Sequence, residues 1–317
     1  VAGFVQWSGL LARRYQLTAG LRYEHAAYDY WMNGQRDVDQ SPSYNNLFPS
    51  LSVATAIGQG RKAWQLMFSY TAKTQRPHYS QLSNKVTYGN RFLLQSGNPN
   101  LKPTVIHSVN LTMVHGMVQA VAMVDHYKDG ILFWGRSVPE RPSVTKISFL
   151  NKSYTQMQGI LTLAPRFKYW QPNFTAVYTQ TFCELPVVGG VRKFNNPLFT
   201  FVTSQVFKLP AHIDLTAVYR FQSKGNYQNV KLDRLTHYTE LYASRTFFGD
   251  ALTVTVGGQD LFHNIKGSSL VYMENSRFLQ SGQGDTRQFY VKLHYKLNAM
   301  RDKYRGKSAA EDVIKRL

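Results

Sequence analysis

The sequence predicts an all-β chain folded as an antiparallel transmembrane up-and-down β-barrel. Three observations carry that reading. Polar and apolar residues alternate with a period of two over long segments, the connections between segments alternate in length, and no apolar run approaches a helical membrane span. The longest uninterrupted apolar stretches, such as Ala120 to Val124, run about five residues, against roughly 20 for a spanning helix. Composition narrows the field further. The 317 residues include 20 Tyr and 19 Phe, with 37 Lys plus Arg against 18 Asp plus Glu, a formal charge of +19. So many aromatics argue against disorder, and Cys183, without a partner in the chain, excludes a disulfide scaffold.

The alternation is explicit from Gln16 onward. Leu17, Ala19, Leu21 and Tyr23 fall on one face; Gln16, Thr18, Arg22 and Glu24 fall on the other, the signature of a strand with one greasy and one wet face. It recurs at Trp64, Leu66, Phe68 and Tyr70, at Val105, Val109, Leu111 and Met113, at Ile213 to Phe221, and at Phe289 to Leu297. The segment Tyr238 to Phe247 fits least well, because Leu241 and Arg245 share a face. Thirteen strands are expected, near 1–12, 16–28, 46–56, 63–74, 105–114, 117–128, 153–165, 173–184, 196–208, 211–223, 235–247, 251–261 and 287–297. Their length, about ten to twelve residues, exceeds the usual five or six of a soluble sheet and suits a tilted membrane-crossing strand.

The connections sort by length. Short ones centre on Arg13-Arg14, Gly58-Gln59-Gly60, His115-Gly116, Tyr169-Trp170-Gln171, Leu209-Pro210 and Gly249-Asp250. Long ones cover roughly 29–45, 75–104, 129–152, 185–196, 224–234 and 262–286. Short turns at the periplasmic rim and long loops outside are the pattern of an outer-membrane barrel. The first strand then descends toward the periplasm, and so does the thirteenth. The wet face belongs inside, since lipid demands an apolar exterior and a closed ladder. Arg22, Glu24, Asp214, Arg220, Lys292 and Lys296 are expected to face a watery or plugged lumen. A dry core would not hold so much charge. Aromatics near strand ends (Tyr28, Tyr30, Trp31, Tyr169, Trp170, Phe247, Phe248) are expected in the two interfacial girdles.

Several phrases carry a family likeness. Gly20-Leu21-Arg22-Tyr23-Glu24 lies in one strand and Leu47-Phe48-Pro49-Ser50 opens the next. Phe68-Ser69-Tyr70-Thr71 precedes Arg76-Pro77, and Gly97-Asn98-Pro99-Asn100-Leu101-Lys102-Pro103 precedes a new strand. The ending from Lys303 to Glu311, closing on Lys315-Arg316-Leu317, completes the set. Together and in this order they resemble the C-terminal part of TonB-dependent receptor barrels, and most nearly the outer-membrane β-barrel protein family. The resemblance covers essentially the whole chain. It implies a plug domain inside a 22-stranded barrel, energised by the TonB complex of the inner membrane.

At about 24 residues per strand, 22 strands need roughly 530 residues. The chain is therefore expected to supply thirteen of them over 1–297, followed by a basic periplasmic tail over 298–317. Single-chain bacterial barrels have even strand numbers, so an odd count points to a missing piece or to one miscounted strand. Val1 is not an initiator Met and no leader pattern follows it. Either a leader has been removed or the chain is an internal piece.

Catalytic signatures are lacking. There is no H-E-x-x-H, no Cys cluster, no Walker or G-x-S-x-G pattern, and Gly58-Gln59-Gly60 reads as a tight turn. Asp125 to Asp129 is the densest titratable run and reads as a strand end facing water. Asn110, Asn151 and Asn173 fall in N-x-S/T patterns, of little meaning in a bacterial outer membrane. No enzyme activity, cofactor, metal or nucleic-acid partner is expected, because the basic residues form no single stripe. The loop 75–104 carries Arg76, Lys85, Arg91 and Lys102 and no acid. These are candidate contacts for lipopolysaccharide phosphates or an anionic substrate.

The expected function is uptake of a bulky nutrient such as a metal chelate, glycan or peptide. The expected partners are outer-membrane lipid, lipopolysaccharide, the plug and the TonB complex. Two alternatives stand beside it: a complete passive porin-like barrel of 12 or 14 strands, and a soluble β-rich polyanion-binding module.

Overall fold

A computed structural model describes residues 1–38, 41–60 and 63–297. The tail expected over 298–317 lies outside the described residues. Thirteen strands form one continuous antiparallel path in chain order. They are β1 (Ala2–Leu11), β2 (Tyr15–Ala27), β3 (Ser43–Ile57), β4 (Trp64–Gln75), β5 (Thr104–His115), β6 (Val118–Val138), β7 (Arg141–Leu163), β8 (Trp170–Val187), β9 (Leu198–Leu209), β10 (Ile213–Gln222), β11 (Thr236–Phe247), β12 (Leu252–Gln259) and β13 (Gln288–Tyr295). Each overlaps its expected position. β1 and β13 each pair on one side only, so the sheet ends in two open edges.

The register shows why the alternation is so regular. One wet row runs Gly20, Ser50, Thr71, Ser108, Asp125, Gln156, Thr181 across seven strands, β2 to β8. One residue further along, the row Ala19, Leu51, Tyr70, Val109, Val124, Met157 points the other way. Leu51, Val109, Val124 and Met157 are among the large apolar residues left exposed, as a lipid-facing surface requires. Side chains alternate across a strand, so a one-residue slip would carry the whole polar row into lipid. A Cβ at Gly20 would stand 2.7 Å from Ser50 Oγ and 3.5 Å from the Val5 carbonyl oxygen, so the glycine lets β1 and β3 close in on β2.

The strand expected to be irregular is regular. Within β11, Leu241 and Arg245 do share the outward face. Arg245 lies near the short-turn end with its guanidinium 4.8 Å from the Phe247 ring centroid, where a long cationic chain reaches headgroup level.

The largest departure is at 129–152, expected as a loop. β6 and β7 continue through it as a hairpin from Gly130 to Lys152, with a bulge between Tyr127 and Gly130. Asp129 takes φ 55, a conformation seldom adopted by residues other than glycine. It is pinned on several sides. Its N–H donates to Ser153 Oγ at 3.0 Å, and its carbonyl accepts from Thr104 Oγ1 at 2.9 Å and from Asn151 Nδ2 at 2.7 Å. The run Ile131-Leu132-Phe133-Trp134 lacks alternation because both hairpin faces are covered. Leu132 joins a buried cluster with Tyr154, Cys183, Leu185, Val187, Phe194 and Tyr272. Phe133 packs on Ile147, Val271 and Met273. Likewise β8 runs on to Val187 and pairs with Gly190–Phe194, inside the loop expected over 185–196.

The last two outer loops complete a canopy. Gly225–Tyr227, Val230–Leu232, Lys266–Tyr272 and Arg277–Gln283 form a separate four-stranded sheet. It docks onto the β6–β7 hairpin and β8 through Val188 N to Met273 O at 3.0 Å, Glu274 N to Gly135 O at 3.1 Å and Asn229 Nδ2 to Phe133 O at 2.6 Å. Arg192 stacks 3.8 Å from the Tyr272 ring centroid, a cation–π contact of about 0.5–2 kcal/mol.

The feet of the 260–287 loop are tied by Asp260, which is almost fully buried. Its carboxylate accepts from the Thr286 hydroxyl and from the Asn264 N–H at 2.9 Å. Burial alone would raise this carboxyl. The donors of Thr286, Asn264 and Ile265, with His263 nearby, outweigh it and hold the group below its ordinary value. A carboxyl lowered on folding stabilises the fold above its unfolded value and loses that contribution as pH falls through the folded one. A spin label at Ser281 should therefore report a tethered loop at neutral pH and rising mobility below about pH 4. In Asp260→Asn the mobility should be independent of pH in that window.

Candidate functional site

Two regions of the outer half gather functional side chains. The first is a cleft of about 460 Å³ between the 28–42 and 76–103 loops. The first loop contributes Tyr28, Asp29, Tyr30 and Trp31, with a small hairpin, Tyr30–Met32 against Gln35–Asp37, holding its tip. The second contributes Tyr79 and Leu82 from one helical turn, Tyr79–Leu82, together with Pro77 and Pro99. Tyr28, Tyr30 and Trp31 were expected in a membrane girdle; they line this cleft instead, because the chain leaves the sheet at Ala27.

The cleft wall is held by local chemistry. Gly97 is required: a Cβ there would strike the carbonyls of Gln81 and Ser83. Asn98 donates to Phe149 O at 3.0 Å and accepts from Asn100 N at 3.0 Å, so the punctuation of Gly97 to Pro103 shapes the wall. Trp31 and Tyr79 are well exposed, whereas the Tyr28 hydroxyl is buried without a hydrogen-bond partner. Asp29 is engaged by Arg36 at 2.7 Å. What remains is a largely aromatic surface, suited to flat or ring-bearing ligands.

The second region is the inner wall. Glu24 is buried and accepts from Arg22 at 3.2 Å and from Arg76. Thus Arg22 and Glu24 meet on one face of β2, and Arg76, a candidate loop contact, is drawn in to join them. The pairing spans 52 residues of sequence, beyond the reach of local pattern. On β10, Asp214 pairs with Lys208 at 2.7 Å near the short-turn rim. Arg220 lines a wide depression of about 630 Å³ with Tyr238 and Glu240. Sequence reasoning passed over Glu240, which accepts from Tyr238 at 3.1 Å and from Tyr290 at 3.0 Å. Its only signal was its place on the wet face of the strand whose sequence alternation fits least well.

The remaining candidates are spread out. Lys85 and Arg91 are exposed on the far part of the 76–103 loop, where Arg91 covers the Phe92 ring at 4.5 Å. Lys102 lies at the loop's foot, its backbone held by Asn151 at 2.8 and 3.0 Å. The structure does not bring the four basic residues together. Among the described residues no three His, Cys, Asp or Glu side chains converge as a metal site, and no helix is long and apolar enough to cross a membrane.

This architecture has a match at the level of sequence families. Residues 1–295 match the model of the outer membrane protein beta-barrel family. The chain belongs to that family. Membership places it in the bacterial outer membrane, with the exposed apolar face toward lipid. Among curated protein sequences no match is found.

Solved barrels share the fold at low identity. The siderophore receptor PirA from Pseudomonas aeruginosa superposes with a TM-score of 0.60 at 14% identity, over 92% of this chain and 47% of the receptor. The copper transporter OprC gives 0.62 at 16%, over 93% and 47%. The FrpB iron transporter from Neisseria meningitidis gives 0.62 at 14%, over 93% and 44%. This family member thus spans less than half the length of the structures it matches.

Proposed function

We propose that the chain is the C-terminal barrel portion of a TonB-dependent outer-membrane receptor that takes up a bulky nutrient. The observation that carries this reading is the open sheet. Thirteen strands in strict sequence order end in two unpaired edges, and the whole covers under half of each matching receptor or transporter. A 22-stranded ring, completed by further strands and filled by a plug, would satisfy both edges. Open edges speak against a complete porin of 12 or 14 strands. The exposed apolar face, on a chain of an outer-membrane family, speaks against a soluble polyanion-binding module.

In this reading the aromatic cleft and canopy capture the nutrient, a metal chelate, glycan or peptide. The TonB complex then displaces the plug, and the polar wall built from Ser50, Thr71, Ser108, Asp125 and Gln156 lines the opened path. In the same reading Lys85 and Arg91 meet lipopolysaccharide phosphates or an anionic substrate, with Lys102 nearer the sheet. Arg76 acts through Glu24 by fixing the base of its loop. Liposome swelling with small sugars tests the plugged state without knowledge of the substrate. The intact protein should give no swelling, and deletion of its plug should open a conductive pore. Swelling by the intact protein would replace this reading with the passive porin.

A further inference from the structure

The short-turn rim carries a chemistry that nutrient uptake does not use. Arg13 and Arg14 occupy the β1–β2 turn, Arg166 and Lys168 the β7–β8 turn, and Arg245 the end of β11. All five are exposed, and among the described residues none is ion-paired. Lys208, near the same rim, is neutralised by Asp214. The sole carboxylate in these turns is Asp250.

Three of the five are also built against an aromatic. Arg14 lies 5.9 Å from the Tyr15 ring centroid, Lys168 4.9 Å from Tyr169 and Arg245 4.8 Å from Phe247. Beside Lys168, Phe167, Trp170 and Phe207 stack in series, with centroids 5.3 and 6.5 Å apart. Tyr15, Trp170 and Phe207 are exposed on the outward row of their strands, and Phe167, Tyr169 and Phe248 are exposed in the turns beside them. Interfacial rings sit at headgroup depth. The cations laid across them are therefore held at the level of lipid phosphate.

We propose that this rim binds the phosphodiester groups of anionic phospholipid in the inner leaflet of the outer membrane. The lipid phosphate accepts charge-assisted hydrogen bonds from guanidinium and ammonium groups, while the rings pack against its glycerol and upper acyl segments. Basic groups near a membrane surface each contribute about fivefold in affinity for anionic lipid. The contact is electrostatic and must weaken with salt. It is independent of what the receptor carries.

The full-length protein reconstituted in phosphatidylcholine bilayers, probed with spin-labelled phosphatidylglycerol and spin-labelled phosphatidylcholine, provides the test. The motionally restricted fraction should favour phosphatidylglycerol, and the preference should shrink in high salt. In Arg166→Gln/Lys168→Gln, whose residues lie outside the ladder, it should fall several-fold. Adding Arg13→Gln, Arg14→Gln and Arg245→Gln should abolish it. Folding of each variant is read independently from the heat-dependent gel shift. Equal restriction of the two lipids by the wild-type protein would overturn the proposal. So would a preference that survives in the folded five-site variant, or one lost instead in Lys85→Gln/Arg91→Gln, which would move the binding to the outer loops.

Discussion

Replacing Phe194 by Ala should release the outer canopy while leaving the membrane sheet folded. Phe194 is fully buried, in contact with a cluster whose members come from β6, β7, β8 and the 260–287 loop. Removing a buried Phe side chain costs about 3–5 kcal/mol through lost transfer energy and the cavity left behind. Its ring also meets Tyr272 edge-on, centroids 5.9 Å apart, and Tyr272 in turn carries the Arg192 guanidinium. Local opening should therefore spread along the canopy strands, which are joined to the sheet by few backbone bonds. Trypsin added to proteoliposomes should cut at Lys266 or Arg277 in Phe194→Ala long before it cuts the wild-type protein. The heat-dependent gel shift of the barrel should persist. Equal protease resistance in the two proteins would show that the canopy is held by its hydrogen bonds rather than by this core.

The second large effect is expected at Glu24. Its side chain is 10% exposed, against 54% for Arg22 and 47% for Arg76. Breaking a buried ion pair by removing one partner costs 3–5 kcal/mol when the remaining charge is stranded. Here both guanidinia keep access to water, so Glu24→Ala should cost roughly 2–3 kcal/mol. The loss should appear in the urea midpoint of the reconstituted protein. It should appear also in faster proteolysis of the 76–103 loop, whose first residue after β4 is Arg76. The double variant Glu24→Ala/Arg76→Ala should be less destabilised than the sum of its parts, because the residues share one contact. Strict additivity would mean that Arg76 and Glu24 act separately.

The membrane part of the fold was legible because lipid and water face opposite sides of a single sheet. Each strand must then alternate, as Leu17 to Glu24 does. The two open edges leave register to the long ladders, and all thirteen strands follow. The outer part obeys other constraints. Ile131 to Trp134 are apolar on both faces because two small cores cover the hairpin, and no alternation survives to mark it. Asp129 and Gly130 looked like a loop start because they do break the ladder, but only by one bulged position. The candidate sites were half visible. The basic content of the 75–104 loop could be read directly. That Arg76 is consumed by Glu24, or that Tyr28, Tyr30 and Trp31 face Tyr79 across a cleft, depends on chain crossings that sequence spacing does not encode.

The unpaired borders of β1 and β13 carry a consequence for how such a protein reaches its membrane. About half of the backbone groups on each border strand have no partner within the chain. In hydrocarbon each such group costs several kcal/mol, so a half-ring would face a penalty of tens of kcal/mol along its two seams. In the proposed 22-stranded ring, these thirteen strands cannot enter the bilayer first and wait for the others. Insertion and ring closure would then be a single cooperative event, in which the last seam to zip decides whether any of the strands stay.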